Sequence, residues 1–274
     1  REGTMSVELN QEERRPASGV GAPPLLELRA VSKFYGHVQA LADVDFRVDA
    51  GSVVALVGDN GAGKSTLVKA MAGAHQISSG EILIDGRAVT IGSPTESARL
   101  GIETVYQDLA LCDNLDVVAN LYLGRELRVR SLPLLDKLRM EKQAGKVIAE
   151  LAATIPALDQ LVSSLSGGQR QAIAVARAAL WGSRVVLLDE PTAALGVAQT
   201  RMVYDLVRRM RDTGLGVVVV THNMADAFAV ADRITVLRLG RNAGEFIPGS
   251  STPDQVVAAI TGADTIRTEG TDHD

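Results

Sequence analysis

The chain has 274 residues, 46% hydrophobic and 22% charged, with a formal net charge of -5 and one cysteine, enough to bury a full core as one large domain or two small ones. Disordered, collagenous and coiled-coil classes are excluded, and the longest apolar runs fall far below the roughly 20 residues a membrane-spanning helix needs. A single Cys112 permits no intramolecular disulfide, and the acidic balance with 3% aromatics argues against a nucleic-acid partner.

Taken in order, residues 1–24 mix Glu, Arg, Gly and Pro without periodicity and are expected to form a loose arm; residues 1–4, which precede Met5, are read as an expression remnant. The arm lacks the apolar centre of a secretory signal, which favours a cytoplasmic product. Residues 25–30 and 44–48 read as strands on either side of a turn near Tyr35 and Gly36, and 52–57 as a buried strand running into a glycine cluster. A helical pattern covers 64–72, and 81–84 returns to strand before the Asp85-Gly86 turn. From about 94 to 164 short helical patterns dominate, with Ala144, Val147, Ile148, Leu151 and Ile155 at helical spacing, as in a helical insertion. A helix over 168–181 leads into the apolar strand 185–188; a helix around Val203, Leu206, Val207 and Met210 ends near Gly214, and 217–220 is another apolar strand. The last residues, 265–274, form a polar tail. Apolar strands alternating with helices predict an α/β fold with a mainly parallel sheet covered on both faces.

Three segments carry chemistry. Gly58-Asp59-Asn60-Gly61-Ala62-Gly63-Lys64-Ser65 fits the phosphate-loop pattern directly after a strand and at the opening of a helix. Glycines let successive backbone N–H groups face one anion at a helix N-terminus, Lys64 can reach the β- and γ-phosphates, and Ser65 is placed to ligate Mg²⁺. The strand 185–188 delivers Asp189 and Glu190 before Pro191, at the sheet edge where doubly wound folds bind ligands. There Asp189 would hold the Mg²⁺ shell and Glu190 orient the attacking water; alone, the same tripeptide is an ordinary turn. Leu165-Ser166-Gly167-Gly168-Gln169-Arg170-Gln171 opens a helix, and its Ser166 is either a plain N-cap or part of a second anion-binding terminus.

This heptapeptide, with the phosphate loop upstream and Asp189-Glu190-Pro191 downstream, resembles the nucleotide-binding subunits of ABC transporters over about residues 25–240. The resemblance implies a phosphate-loop NTPase core spanning 25–264, with an N-terminal antiparallel β subdomain and an α-helical subdomain at about 94–180. It implies ATP contacts from Tyr35, Gly58, Asn60, Gly61, Gly63, Lys64, Ser65 and Thr66, with Tyr35 stacking on adenine. Gln107 would contact Mg²⁺ and water together with Ser65 and Asp189, and His222 would hold the γ-phosphate and Glu190. Ser166, Gly167, Gly168 and Gln169 would face the ATP of an opposing subunit in a head-to-tail homodimer. Gly196 departs from the family, which commonly has an aspartate after Pro-Thr-x-x-Leu.

The segments 191–197, 221–224 and 231–234 look most like the ATPases of bacterial monosaccharide importers of the ribose, xylose and fructose type. That likeness implies ATP hydrolysis coupled to sugar import, transmembrane permease subunits as partners, a sugar-binding protein as an indirect one, and a place at the inner face of the cell membrane. Two other readings stand beside it: a non-transport ATPase of this type acting on nucleic acid or the ribosome, and a nucleotide sensor without turnover.

Overall fold

The computed structural model describes residues 22–129 and 134–263; the expected N-terminal arm up to residue 21 and the C-terminal tail lie outside them. Among the described residues, ten strands form two sheets. Strands β1 (Leu26–Tyr35), β2 (Val38–Val48), β4 (Ser79–Ile84) and β5 (Arg87–Val89) make an antiparallel sheet in the order β2-β1-β4-β5. Strands β3 (Val53–Val57), β6 (Ile102–Val105), β7 (Val185–Asp189), β8 (Gly216–Val220), β9 (Arg233–Arg238) and β10 (Arg241–Phe246) make the larger one, in the order β10-β9-β3-β8-β7-β6. All neighbours in the larger sheet are parallel except β10, which returns antiparallel on β9.

Every residue of β3 and β8 is buried, because both faces of the sheet are covered. The period of two sorts the side chains. Val54, Leu56, Val185, Leu187, Val218 and Val220 join the core shared with the antiparallel sheet and α1 (Lys64–Met71). Their alternates Val186, Leu188, Val217 and Val219 join the opposite core, beneath α3 (Val117–Tyr122), α4 (Lys137–Glu150), α5 (Gly167–Leu180) and α6 (Val197–Asp212). A third, smaller cluster gathers Ala55, Val57, Ile234 and Val236 under α7 (Met224–Val230) and α8 (Pro253–Thr261).

The α/β class, the parallel core, the antiparallel sheet and the added helices agree with expectation, while several details differ. The first hairpin is longer than the 25–30 and 44–48 segments, because β1 carries register shifts between Leu28 and Val31 and between Val31 and Lys33 that break simple alternation. The stretch 94–164 holds α2 (Pro94–Arg99), α3 and α4, but also β6, the edge strand of the larger sheet. Ile155 is not on α4. The helix closes with Ala152 at φ 42° and paired bonds from the Ala152 N–H to the Ala149 carbonyl (2.9 Å) and from the Ala153 N–H to the Ile148 carbonyl (3.0 Å).

Within the helical layer, Tyr122 is fully buried and donates its hydroxyl to Gln143 Oε1 at 2.8 Å, fastening α3 to α4. Its ring meets Trp181 edge-on at 5.4 Å, and the Arg125 guanidinium lies 5.2 Å from the same indole.

Candidate functional site

Because β3, β6, β7 and β8 are parallel neighbours, their C-terminal ends share one edge of the larger sheet. Gly58 follows β3, Gln107 lies two residues past β6, Glu190 follows β7 and His222 lies two residues past β8. Segments far apart in the chain thus reach a common site through strand order alone.

The phosphate loop is held from both sides. Gly58 has φ 155°, and a Cβ there would stand 2.3 Å from the Leu237 carbonyl oxygen. Gly63 has φ 103°, and its Cβ would meet Leu41 Cδ2 at 2.9 Å and the Ala40 oxygen at 3.0 Å. The Gly240 N–H donates to the Ala62 carbonyl at 3.0 Å, so the β9–β10 turn also clamps the loop. Lys64 folds back over it, donating to the carbonyls of Gly58 (2.7 Å) and Asp59 (3.0 Å). Asp59 Oδ1 accepts the Asn60 N–H at 2.7 Å. Asn60 and Ser65 are exposed, and Thr66 is half-buried in the first turn of α1.

Burial pushes the Lys64 ammonium below its ordinary pKa, against the pull of Glu190, Asp59 and Asp189. Burial likewise pushes Asp189 up, reinforced by Glu190 and opposed by Lys64 and Lys69. Each charge is therefore half stripped of water and leans on the other.

Glu190 is held in the left-handed region at φ 49°, its N–H donating to the Val220 carbonyl at 2.9 Å. Its Oε1 lies 2.8 Å from His222 Nδ1, and while Glu190 is mostly covered the His222 side chain is 72% exposed. The structure thus pairs the two residues that sequence put 32 positions apart.

Tyr35 stands apart from this pair at the end of β1. Its ring is edge-on to His75 at 5.5 Å, with the Lys33 ammonium 5.1 Å from the ring centroid. The hairpin that carries it also brings Ala40 against Gly63, so β1 and β2 tie the ring to the phosphate loop.

The Ser166 segment has a different environment. Ser166 is the N-cap of α5: its Oγ accepts the Gln169 N–H at 3.3 Å, and Gln169 Oε1 accepts the Ser166 N–H at 2.9 Å, a reciprocal capping box. Gly167 and Gly168 let the start of α5 sit close to Leu195 and Gln199, since added Cβ atoms would lie 3.0 and 3.3 Å from them. Among the described residues no hydrogen bond or ion pair joins Ser166–Gln169 to the phosphate loop. Gly196, where an aspartate is common, is the N-cap of α6 and offers no side-chain acceptor.

Two arrangements escaped the sequence reading. Arg177 on α5 donates to the carbonyls of Leu109 (3.0 Å) and Ala110 (2.8 Å), both at positive φ, and so ties the loop after Gln107 to the Ser166 helix. The buried Asp226, in the first turn of α7, accepts from Thr192, Tyr204 and Asn223. An arginine facing carbonyls has no spacing signature, and Asp226 reads in sequence as an ordinary acidic residue near a helix start.

A loop of backbone donors with a lysine, an acidic strand end and a paired glutamate and histidine define a phosphate-loop nucleotide-binding protein. A family profile described as ABC transporter matches residues 41–193. The chain is 47% identical over 246 residues to a fructose import ATP-binding protein of Rhizobium meliloti, covering 88% of this chain and 95% of the relative. It is 46% identical to a xylose/arabinose import ATP-binding protein of Sulfolobus acidocaldarius over 79% of this chain and 86% of that one. A ribose import ATP-binding protein of Yersinia pestis is 40% identical, and there the chain spans 46% of the relative's length. The chain belongs to the ABC transporter family.

Among solved structures, an ABC-transporter ATP-binding cassette in its ADP conformation superposes with a TM-score of 0.74 at 20% identity, covering 91% of this chain and 99% of that one. A dimeric cassette in a post-hydrolysis state, bound to ADP and phosphate, gives 0.67 at 26% identity, covering 81% and 98%.

Proposed function

We propose that this chain is the ATP-hydrolysing subunit of a transporter that imports a monosaccharide, acting as a homodimer beneath transmembrane permease subunits at the inner face of the membrane. The observation that carries the reading is the 2.8 Å Glu190–His222 pair at the edge where Lys64 and Asp189 also lie, in a chain whose relatives are named for fructose and xylose/arabinose import. Among the described residues no helix is long and apolar enough to cross a membrane, so the pathway for sugar would belong to partner chains, supplied in turn by a sugar-binding protein.

The residues divide the work. Backbone N–H groups of Gly61 to Ser65 and the Lys64 ammonium hold the phosphates, and Tyr35 stacks on the base. Glu190 positions the attacking water and takes its proton, while His222 orients Glu190 and reaches the γ-phosphate. The proposed donors suit Mg²⁺: a hydroxyl on Ser65, a carboxylate on Asp189 and an amide oxygen on Gln107 are hard oxygen ligands, and a dication would offset the desolvation that raises Asp189. When bound, Mg²⁺ neutralises charge on the phosphates. Ser166, Gly167, Gly168 and Gln169 would close the site from the second subunit, the Ser166 hydroxyl turning from its own helix toward that phosphate.

Steady-state phosphate release by the full chain tests the reading, with the permease co-purified to establish the coupling. Release that depends on Mg²⁺ and disappears in Lys64→Ala is the expected result; a chain that binds ATP without turnover would overturn it.

A further inference from the structure

Asp226 is 3% exposed, and a carboxylate that deep needs compensation. Among the described residues no lysine or arginine pairs with it. It is satisfied by neutral donors: the Thr192 hydroxyl on Oδ2, the Tyr204 hydroxyl on Oδ1, and Asn223 Nδ2 on Oδ1 at 3.2 Å. Burial first, then the adjoining carboxylate, pushes the Tyr204 phenol upward, so it stays a donor across the working pH range.

The origin of the donors matters more than their number. Thr192 lies two residues past Glu190, and Asn223 directly follows His222. Tyr204 is on α6, away from both loops. Asn223 is further fixed by its N–H to Thr221 Oγ1 (3.0 Å) and by its Oδ1, which accepts the Ala225 N–H (2.9 Å). One buried carboxylate therefore joins the loop that carries Glu190 to the loop that carries His222. The backbone at the base of the tips is joined by the Glu190 N–H to Val220 carbonyl bond (2.9 Å), but beyond it the His222 side chain is largely exposed and bonds to Glu190, and Glu190 stands at positive φ.

We infer that Asp226, acting through Thr192 and Asn223, is a positioning residue that sets the Glu190–His222 geometry for hydrolysis. The inference rests on the ATPase reading above. Charge-assisted bonds from both loops to one atom group fix their relative position, and misplacement by about 1 Å at a reacting centre costs on the order of 100-fold. The bond from Tyr204 anchors the node to α6 and does not join the two loops.

That asymmetry separates positioning from plain bracing. In phosphate-release assays on the full chain, Thr192→Val is expected to lower kcat about 10- to 100-fold with KM for ATP within about twofold of wild type. Thr192→Ser, which keeps the hydroxyl, is expected to recover kcat to within about threefold, and Tyr204→Phe to lower Tm while leaving kcat within about threefold. Combined with Glu190→Gln, Thr192→Val should add no further loss, because it acts through Glu190. If Thr192→Val does not yield folded protein, Asp226→Asn is read by the same kcat-against-KM split. The inference is overturned if Thr192→Val keeps wild-type kcat, if kcat merely tracks Tm through all the variants, or if its loss adds to that of Glu190→Gln. Absence of phosphate release by the wild-type chain would instead defeat the ATPase reading itself, so the two failures are told apart.

Discussion

The phosphate-loop edge and the N-terminus of α5 are both glycine-rich helix openings, yet they are built differently. At the edge, groups from β3, β7 and β8 lean on one another: Lys64 on Asp189, Glu190 on His222, and the loops behind them on Asp226. At α5, among the described residues, Ser166 and Gln169 bond only within their own segment apart from one Gln169 bond to the Thr154 carbonyl at 3.3 Å, and the glycines serve close packing on Leu195 and Gln199. In the first region the side chains bond to one another; the second is a capped helix that, among the described residues, makes no hydrogen bond or ion pair to the phosphate loop. On the proposed function, one chain holds a reaction centre and, separately, a surface suited to the site of a second copy. A two-fold homodimer satisfies both, since each copy then lends its second region to the other's first.

Substitutions should separate the regions, the largest effect coming from the completed edge. Glu190→Gln removes the carboxylate proposed to take the proton and should lower kcat by about 10²- to 10⁴-fold while nucleotide affinity is retained, as read by phosphate release beside calorimetry. Lys64→Ala deletes a half-buried cation and should weaken ATP binding by roughly 10- to 100-fold; unchanged affinity would mean that the loop does not bind phosphate. Ser166→Asn keeps a good N-cap, so its Tm should stay within a few degrees of wild type while turnover falls about 10-fold. Equal retention of both would reduce Ser166 to a cap.

The smallest effect is one of pH. Burial holds the Asp189 carboxyl above its ordinary range, so its ionisation opposes folding. The stability this shift confers is full at pH below the unfolded-state pKa and is lost as pH rises through the folded one. Asp189→Asn should therefore melt above wild type at neutral pH, with the gap closing in acid; melting curves across pH check it.

The sequence made the short-range features readable. The phosphate loop, Asp189-Glu190 and the Ser166 segment are contiguous, and β3 and β8 announce themselves as five-residue apolar runs buried on both faces. The edge strand β6 does not: it has four residues with Glu103 among them, inside a helical stretch. The far end of β1 was obscured by its bulges, and Ala30 at φ 46° interrupts the alternation. The Asp226 node was out of reach, because its partners Thr192 and Tyr204 lie 34 and 22 positions away and only the parallel order of β7 and β8 gathers their loops. Pairing of Glu190 with His222 came from family likeness, and the sheet order supplies its physical cause.

The claim that each site takes halves from two chains has a direct test in complementation. Lys64→Ala chains keep an intact Ser166 segment, and a chain disabled at that segment by Gly168→Arg keeps an intact phosphate loop; each alone should be inactive. Mixed in equal amounts they should form mixed dimers with one whole site, recovering about a quarter of wild-type phosphate release if the sites act independently. No recovery at any mixing ratio, with both variants folded, would contradict the shared site.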